Sequence, residues 1–366
     1  MPKPTTDEII ARVRDVISAW RDPWLGKTLG ELGAVRSVEA VGGELVLALT
    51  LPIPVGDYVE ELAGALGPVL AAAGIDLPVR LSLGSEIRPH AVQRQLKPME
   101  SIRNVVAVAS GKGGVGKSTV AVNLALSWAA AGARVGLLDA DIYGPSQPIM
   151  LGIEGQRPTT IDGKRIRPLA AHGIVAMSIG ALIDPSEPMV WRGPMATSAL
   201  TQLLSDTEWG ELDYLVVDMP PGTGDIQLTL AQRVPVAGAV IVTTPQDIAL
   251  ADARKGLRMF EKVAVPVLGI VENMSLHVCS NCGHAEAIFG EGGGEALAAE
   301  AHTELLGRLP LDARIRAEAD GGRPTAVASP SSPRGQAFRE FARRTAAALA
   351  RRSRDRSAAF PKIVVE

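Results

Sequence analysis

Residues 103–119 read RNVVAVASGKGGVGKST. The first half, Val105-Val106-Ala107-Val108-Ala109, is a continuous apolar run that predicts a strand buried on both faces. The second half, Gly111 to Ser118, is GKGGVGKS and fits G-x-x-x-x-G-K-[ST] completely. A helix is expected from about Lys117 to Ala131. Strand, Gly-rich loop and helix in that order predict a phosphate-binding loop. Glycines let the backbone turn tightly, with positive φ where needed. The loop N–H groups then point inward at phosphate oxygens, helped by the helix N-terminus. Lys117 supplies positive charge to the β- and γ-phosphates, and Ser118 offers its hydroxyl to Mg²⁺. Nucleotide contacts are expected from Gly111, Lys112, Gly113, Gly114, Val115, Gly116, Lys117, Ser118 and Thr119.

Outward from the loop, similar apolar runs recur at Val135–Leu138, Tyr214–Val217, Gly238–Val242 and Val267–Val271. Helical stretches separate most of them, which predicts an α/β fold: a doubly wound, mostly parallel sheet. Such a sheet presents ligands at the C-terminal ends of its strands, and the acids stand there. Asp139 and Asp141 follow the second run, and Asp218 follows the third. Asp218 is the expected Mg²⁺ carboxylate, direct or through water, and Asp225 falls in a second switch-like segment. The competing reading is that such aspartates only cap the helices that follow.

Ahead of the loop, residues 7–20 carry apolar residues at helical spacing, and strands are expected at Val35–Ala40 and Glu44–Leu51 around a Gly42-Gly43 turn. Another helix is expected over 57–73 and a strand at Val79–Leu83. Residues 1–84 thus read as a small α/β domain, 85–102 as a linker, 103–351 as the P-loop ATPase domain and 352–366 as a tail.

Both cysteines of the chain lie in LHVCSNCGH, residues 276–284. Cys279 and Cys282 in C-x-x-C can point two thiolates at one metal or cluster. Three readings compete: an iron–sulfur cluster, zinc completed by His277 and His284, and a redox dithiol. The redox reading needs a helix opening at the first Cys, and Gly283 argues for a loop instead. A cluster usually takes four thiolates, so a fully Cys-ligated one needs two chains.

Bulk properties narrow the setting. Over 366 residues, 46% are hydrophobic and the net charge is -3, which argues against a whole-protein electrostatic grip on nucleic acid or acidic membrane. A polar, amphipathic N-terminal stretch and the lack of any long apolar run predict no signal peptide and no membrane span, hence a cytoplasmic protein.

GKGGVGKST, with its early lysine, resembles the deviant Walker A loop of the MinD/ParA and nitrogenase-iron-protein group. That resemblance implies that Lys112 reaches a partner's phosphates across a homodimer. It also implies that Asp141 positions or activates the attacking water, that Asp139 sits nearer the metal, and that Asn273 reads adenine, hence ATP. Added to DADIYGPSQP (139–148), MVWRGPM (189–195), DYLVVDMPPGTGD (213–225), GIVENMS (269–275), the C-x-x-C-G and IFGEGGGE (288–295), it makes the region from about 103 to 350 similar to the Mrp/ApbC iron–sulfur cluster carrier ATPases. The implied activity is slow, Mg²⁺-dependent ATP hydrolysis that switches a homodimer. The implied cargo is a [4Fe–4S] cluster on Cys279 and Cys282, taken from a scaffold and passed to apo-proteins, without nucleic acid or stable membrane association. The family often has Pro where this chain has Ser280. Residues 1–84 resemble the MIP18-like domain often fused to such ATPases, without the Cys that domain often carries after a stretch such as LPIPVGDY (51–58). The rival is a MinD/ParA-like positioning ATPase on membrane or DNA, with zinc at the cysteine pair. It needs an amphipathic terminal helix, and residues 335–352 offer only Phe338, Phe341 and Leu349, expected on the core.

Overall fold

A computed structural model describes residues 5–181, 193–279 and 281–352. Motif residues 189–192, Ser280 and the tail from 353 onward lie outside these. The chain divides into two compact units, one of residues 1–88 and 130–132 and one of residues 89–129 and 133–366.

The first unit begins with helix α1, Thr6–Ala19. A capping box starts it: the Thr5 hydroxyl accepts from the Glu8 amide and the Glu8 carboxylate accepts from Thr5 N–H. Strands β1 (Val35–Val41) and β2 (Glu44–Leu51) form an antiparallel hairpin. Its two turn residues, Gly42 and Gly43, have φ of 60° and 83°. A two-residue turn matching the strand twist wants positive φ at both positions, which glycine gives without strain. Helix α2 (Val59–Ala72) then returns the chain so that β3 (Val79–Ser85) adds parallel to β2. Leu45, Leu47, Leu49 and Leu51 alternate into the core with Val13, Ile17, Leu62, Leu66 and Leu70.

The second unit opens with β4 (Ile102–Ser110), α3 (Lys117–Ala130), β5 (Val135–Asp139) and the single turn α4 (Gln147–Met150). A small antiparallel pair, β6 (Thr159–Thr160) and β7 (Ile166–Arg167), precedes β8 (Leu169–Ala171) and β9 (Ile174–Ser178). Then come α5 (Gly193–Asp206), β10 (Leu212–Asp218), α6 (Asp225–Arg233), β11 (Gly238–Thr243), α7 (Asp247–Lys262) and β12 (Val267–Glu272). A second antiparallel pair, β13 (His277–Val278) and β14 (Ala285–Glu286), leads to α8 (Gly293–Glu300), β15 (Glu304–Arg308), α9 (Ala313–Asp320), α10 (Thr325–Ala328) and α11 (Pro333–Ala350).

The sheet order is β15-β12-β11-β4-β10-β5-β9-β8. Every pairing is parallel except β8 on β9, so the expected mostly parallel doubly wound sheet is present. Its central strands β4, β10 and β11 are buried almost end to end, which is why they read as unbroken apolar runs. After β4 the chain runs out on one side through β5, β8 and β9, comes back to β10 beside β4, and then crosses to the other side through β11, β12 and β15. The crevice at that switch point, above the end of β4, is where such a sheet binds ligands. Trp128 of α3 stacks on Tyr214 of β10 with centroids 4.2 Å apart and donates to the Ala342 carbonyl at 2.8 Å, pinning α3, β10 and α11 together. Phe338, Phe341 and Leu349 of α11 are buried, so that helix spends its apolar face on the core. Part of the stretch read as a linker is fixed to this unit: Gln93 donates to the Ala231 and Val234 carbonyls at 2.8 and 3.1 Å and accepts from Val236 N–H at 3.0 Å.

Candidate functional site

The loop after β4 is held open by its glycines. Gly114 and Gly116 take φ of 83° and 81°, in the left-handed region. A Cβ on Gly116 would also lie 2.2 Å from Asn273 Nδ2, and one on Gly111 would lie 2.2 Å from the Asp252 carbonyl. The loop therefore admits no side chain at either place. Asn273, at the end of β12, donates from Nδ2 to the Val115 carbonyl at 2.8 Å and so braces the loop from beneath.

Lys117 opens α3 and is only 6% exposed. Its ammonium pairs with Asp218 Oδ1, reaches the Ser118 hydroxyl at 3.1 Å and lies 3.7 Å from Asp141 Oδ2. Parallel pairing of β5 with β10 sets Asp139 directly beside Asp218. Two buried carboxylates in register repel, and burial penalises charge in each. Burial, and then the charge of Asp218, push the Asp139 carboxyl up to about 7. Burial also raises Asp141, against the opposing pull of Lys117. Asp139 accepts from Asp141 N–H at 3.2 Å, from Gln147 N–H at 3.1 Å and from the Ser178 hydroxyl at 3.1 Å. Its oxygens thus anchor the segment that carries Asp141.

The structure brings Lys117, Ser118, Asp139, Asp141, Asp218 and Asn273 to one place. Among the described residues no hydrogen bond or ion pair ties the Lys112 or Asp225 side chain to that group: Lys112 is half-buried with its carbonyl accepting from the Ser110 hydroxyl at 2.8 Å, and Asp225 is an exposed residue opening α6. Sequence reading missed Gln147. It is 1% exposed and donates from Nε2 to Asp218 Oδ2 at 2.8 Å and to the Ser118 carbonyl at 3.0 Å. Its Oε1 is buried and has no partner among the described residues. Nothing in GPSQP marks that role, because a Gln between Ser and Pro reads as an ordinary helix start. Hard oxygen donors such as the Ser118 hydroxyl and the Asp218 carboxylate suit Mg²⁺, and the unpartnered carbonyl beside them is a further acceptor in the same place.

The cysteines occupy a β-hairpin turn between β13 and β14. Cys279 N–H donates to the His284 carbonyl and Gly283 N–H to the Cys279 carbonyl, both at 2.9 Å, with Gly283 at φ 73°. This turn aims the backbone N–H groups of Cys282 and Asn281 at the Cys279 sulfur, which lowers its pKa below the ordinary 9.0, with the Cys282 side chain adding to the effect. Cys282 is exposed and Cys279 half-buried. A hairpin turn gives no helix N-terminus at the first thiol, as the sequence led us to expect. His277 Nδ1 lies 3.0 Å from the Leu311 carbonyl, and among the described residues no three His, Cys, Asp or Glu side chains gather at one point. His277 and His284 therefore do not assemble with the thiols into a four-ligand set.

Known proteins bear on this geometry. A family model described as NUBPL iron-transfer P-loop NTPase, of the ParA class, matches residues 101–346. The iron-sulfur cluster carrier protein of Escherichia coli K12 is 51% identical over 343 residues, covering 93% of this chain and 92% of that protein. The Pseudomonas fragi protein of the same name is 61% identical over 264 residues, covering 72% and 92%. The mouse iron-sulfur cluster transfer protein NUBPL is 52% identical over 248 residues, covering 67% and 77%. Among solved structures, the ADP complex of a nucleotide-binding protein from Archaeoglobus fulgidus superposes with a TM-score of 0.55 at 41% identity, covering 61% of this chain and 88% of that one. The P-loop, the strand-end carboxylates and the C-x-x-C hairpin all lie inside the matched span, and the chain belongs to the NUBPL iron-transfer P-loop NTPase family.

Proposed function

We propose that the protein is an ATP-driven iron–sulfur cluster carrier. Two chains hold a labile [4Fe–4S] cluster between them through Cys279 and Cys282 of each, and pass it from a scaffold to recipient apo-proteins. The observation that carries this reading is the hairpin turn, whose amides lower the Cys279 pKa and so favour the thiolate that iron requires. Two thiols per chain supply half of the usual four ligands. Family membership and relatives named as cluster carriers support the cargo.

The nucleotide half follows from the buried acids. Lys117 now neutralises Asp218; an incoming triphosphate offers Lys117 a stronger anionic partner and frees that carboxylate. Ser118 and Asp218 would hold Mg²⁺, which when bound would supply charge neutralisation at the phosphates. Asp141 orients the attacking water in this reading, which its raised pKa and its separation of 3.7 Å from Lys117 support. Asp139 holds Asp141's segment in place, Lys112 reaches the phosphates of the second subunit, and Asn273 supports the loop on the adenine side. Slow hydrolysis then resets the dimer.

The test is anaerobic reconstitution with iron and sulfide. The expected result is a [4Fe–4S] absorbance and Mössbauer signature with about two irons per chain, abolished in Cys282→Ala. An unchanged spectrum in that variant, or zinc retained in place of iron, sinks the reading.

A further inference from the structure

Gln147 touches every residue that the proposed metal site needs. Its main-chain N–H donates to Asp139, and its side-chain amide donates both to Asp218 at 2.8 Å and to the carbonyl of Ser118 at 3.0 Å. The orientation of that amide is fixed by chemistry. Turned over, it would set Oε1 against a carboxylate and a carbonyl, both acceptors only. The nitrogen therefore faces Asp218, and the oxygen is left buried without a donor. An unpaired buried carbonyl is destabilising, because it loses its hydrogen bonds to water and gains none. A leucine or methionine of similar size avoids that cost but lacks the two donor bonds. A buried acceptor beside a metal carboxylate becomes satisfied when a donor arrives with the metal. Mg²⁺ usually keeps several of its waters, and those waters offer only O–H donors outward.

We propose that Gln147 is a positioning residue that couples the α4 segment to Mg²⁺. Its NH₂ helps hold Asp218, and with Mg²⁺ bound its Oε1 accepts from a water on the metal. The same amide orients the metal's carboxylate on one side and its hydration on the other, the usual work of groups one step behind metal ligands. Because α4 begins at Gln147 and leads out of the segment bearing Asp141, metal occupancy rather than nucleotide alone sets that segment. This role presupposes the Mg²⁺-nucleotide site proposed above.

The experiment titrates fluorescent methylanthraniloyl-ADP into the full chain, once with excess Mg²⁺ and once with EDTA. For the wild type, Mg²⁺ tightens binding. In Gln147→Met the Mg²⁺-to-EDTA affinity ratio falls roughly tenfold, while affinity in EDTA stays within about twofold. Gln147→Leu repeats the measurement, and thermal unfolding of the nucleotide-free variants checks the fold first. Retention of the full Mg²⁺ effect in either folded variant overturns the proposal. So does an equal loss with and without metal, or failure of both variants to fold, since each marks a purely structural glutamine. A wild type that ignores Mg²⁺ fails the site reading itself, whereas a responsive wild type matched by its variants fails only the role of Gln147.

Discussion

At the residue scale, the site is a balance of charge around Lys117. One ammonium, 6% exposed, stands against Asp218, Asp141 and, through Asp218, Asp139. Removing it leaves buried carboxylates uncompensated, which typically costs 3–5 kcal/mol. Lys117→Met is therefore expected to lower the stability of the nucleotide-free protein by about 3 kcal/mol at pH 8 in urea unfolding. The pH dependence follows from Asp139. Its folded value is raised from 3.8 to about 7, so the fold binds this proton more tightly than the unfolded chain does. The wild type accordingly loses stability from this group as pH rises through that window. Below its folded value of about 7 Asp139 is neutral in the native protein, and one of the competing charges is gone. The Lys117→Met loss is expected to shrink at pH 5.5. A loss that is equal at both pH values would show that Asp139 is not part of this balance.

At the element scale, the hairpin of β13 and β14 converts an exposed dithiol into a ligand pair. Two amides and a neighbouring thiol stabilise the Cys279 thiolate, so its ionisation midpoint falls below 9.0. Iodoacetamide should alkylate Cys279 faster than Cys282 at neutral pH, with a rate that rises with pH to a midpoint under the ordinary thiol value; peptide mass spectrometry over a pH series reads this. Gly283→Ala should slow it, because a left-handed residue at φ 73° then carries a side chain and the turn opens. Equal rates at the two cysteines contradict the hairpin's role. Elements such as this one also mark how far the sequence could be read. The central strands were legible because burial on both faces writes an unbroken apolar run, and the P-loop because phosphate geometry demands glycine at fixed spacing. Asp139, Asp141 and Asp218 were legible as strand-end acids. The edge strand β8 was not, since three residues, two half-buried and one exposed, are too few to carry a pattern. The brace from Asn273 to Val115 and the bond from Gln147 to Asp218 join residues 158 and 71 positions apart, and no local spacing encodes those contacts.

At the scale of the whole molecule, the proposed carrier needs two copies for two separate reasons: four thiolates for a cluster and a lysine from across the interface. The second reason yields a test that is independent of iron. Within one chain Lys117 pairs with both Asp218 and Asp141, and the half-buried Lys112 makes no ion pair with either. A lysine that serves its own site must be intact in the same chain as Asp141. A lysine that serves the partner's site need not be. Lys112→Ala and Asp141→Ala are each expected to lower ATP hydrolysis by about 10²–10³-fold, the usual effect of removing one group that stabilises or orients the transferring phosphate. Mixed in equal amounts, half of the dimers pair one variant with the other. In each such pair, one site combines an intact Asp141 in its own chain with an intact Lys112 from the neighbour, and the other site lacks both. Activity should therefore recover to roughly a quarter of the wild-type rate if subunits exchange freely. If Lys112 acts within its own chain, no mixed dimer contains a complete site, and the mixture stays as inactive as its parts.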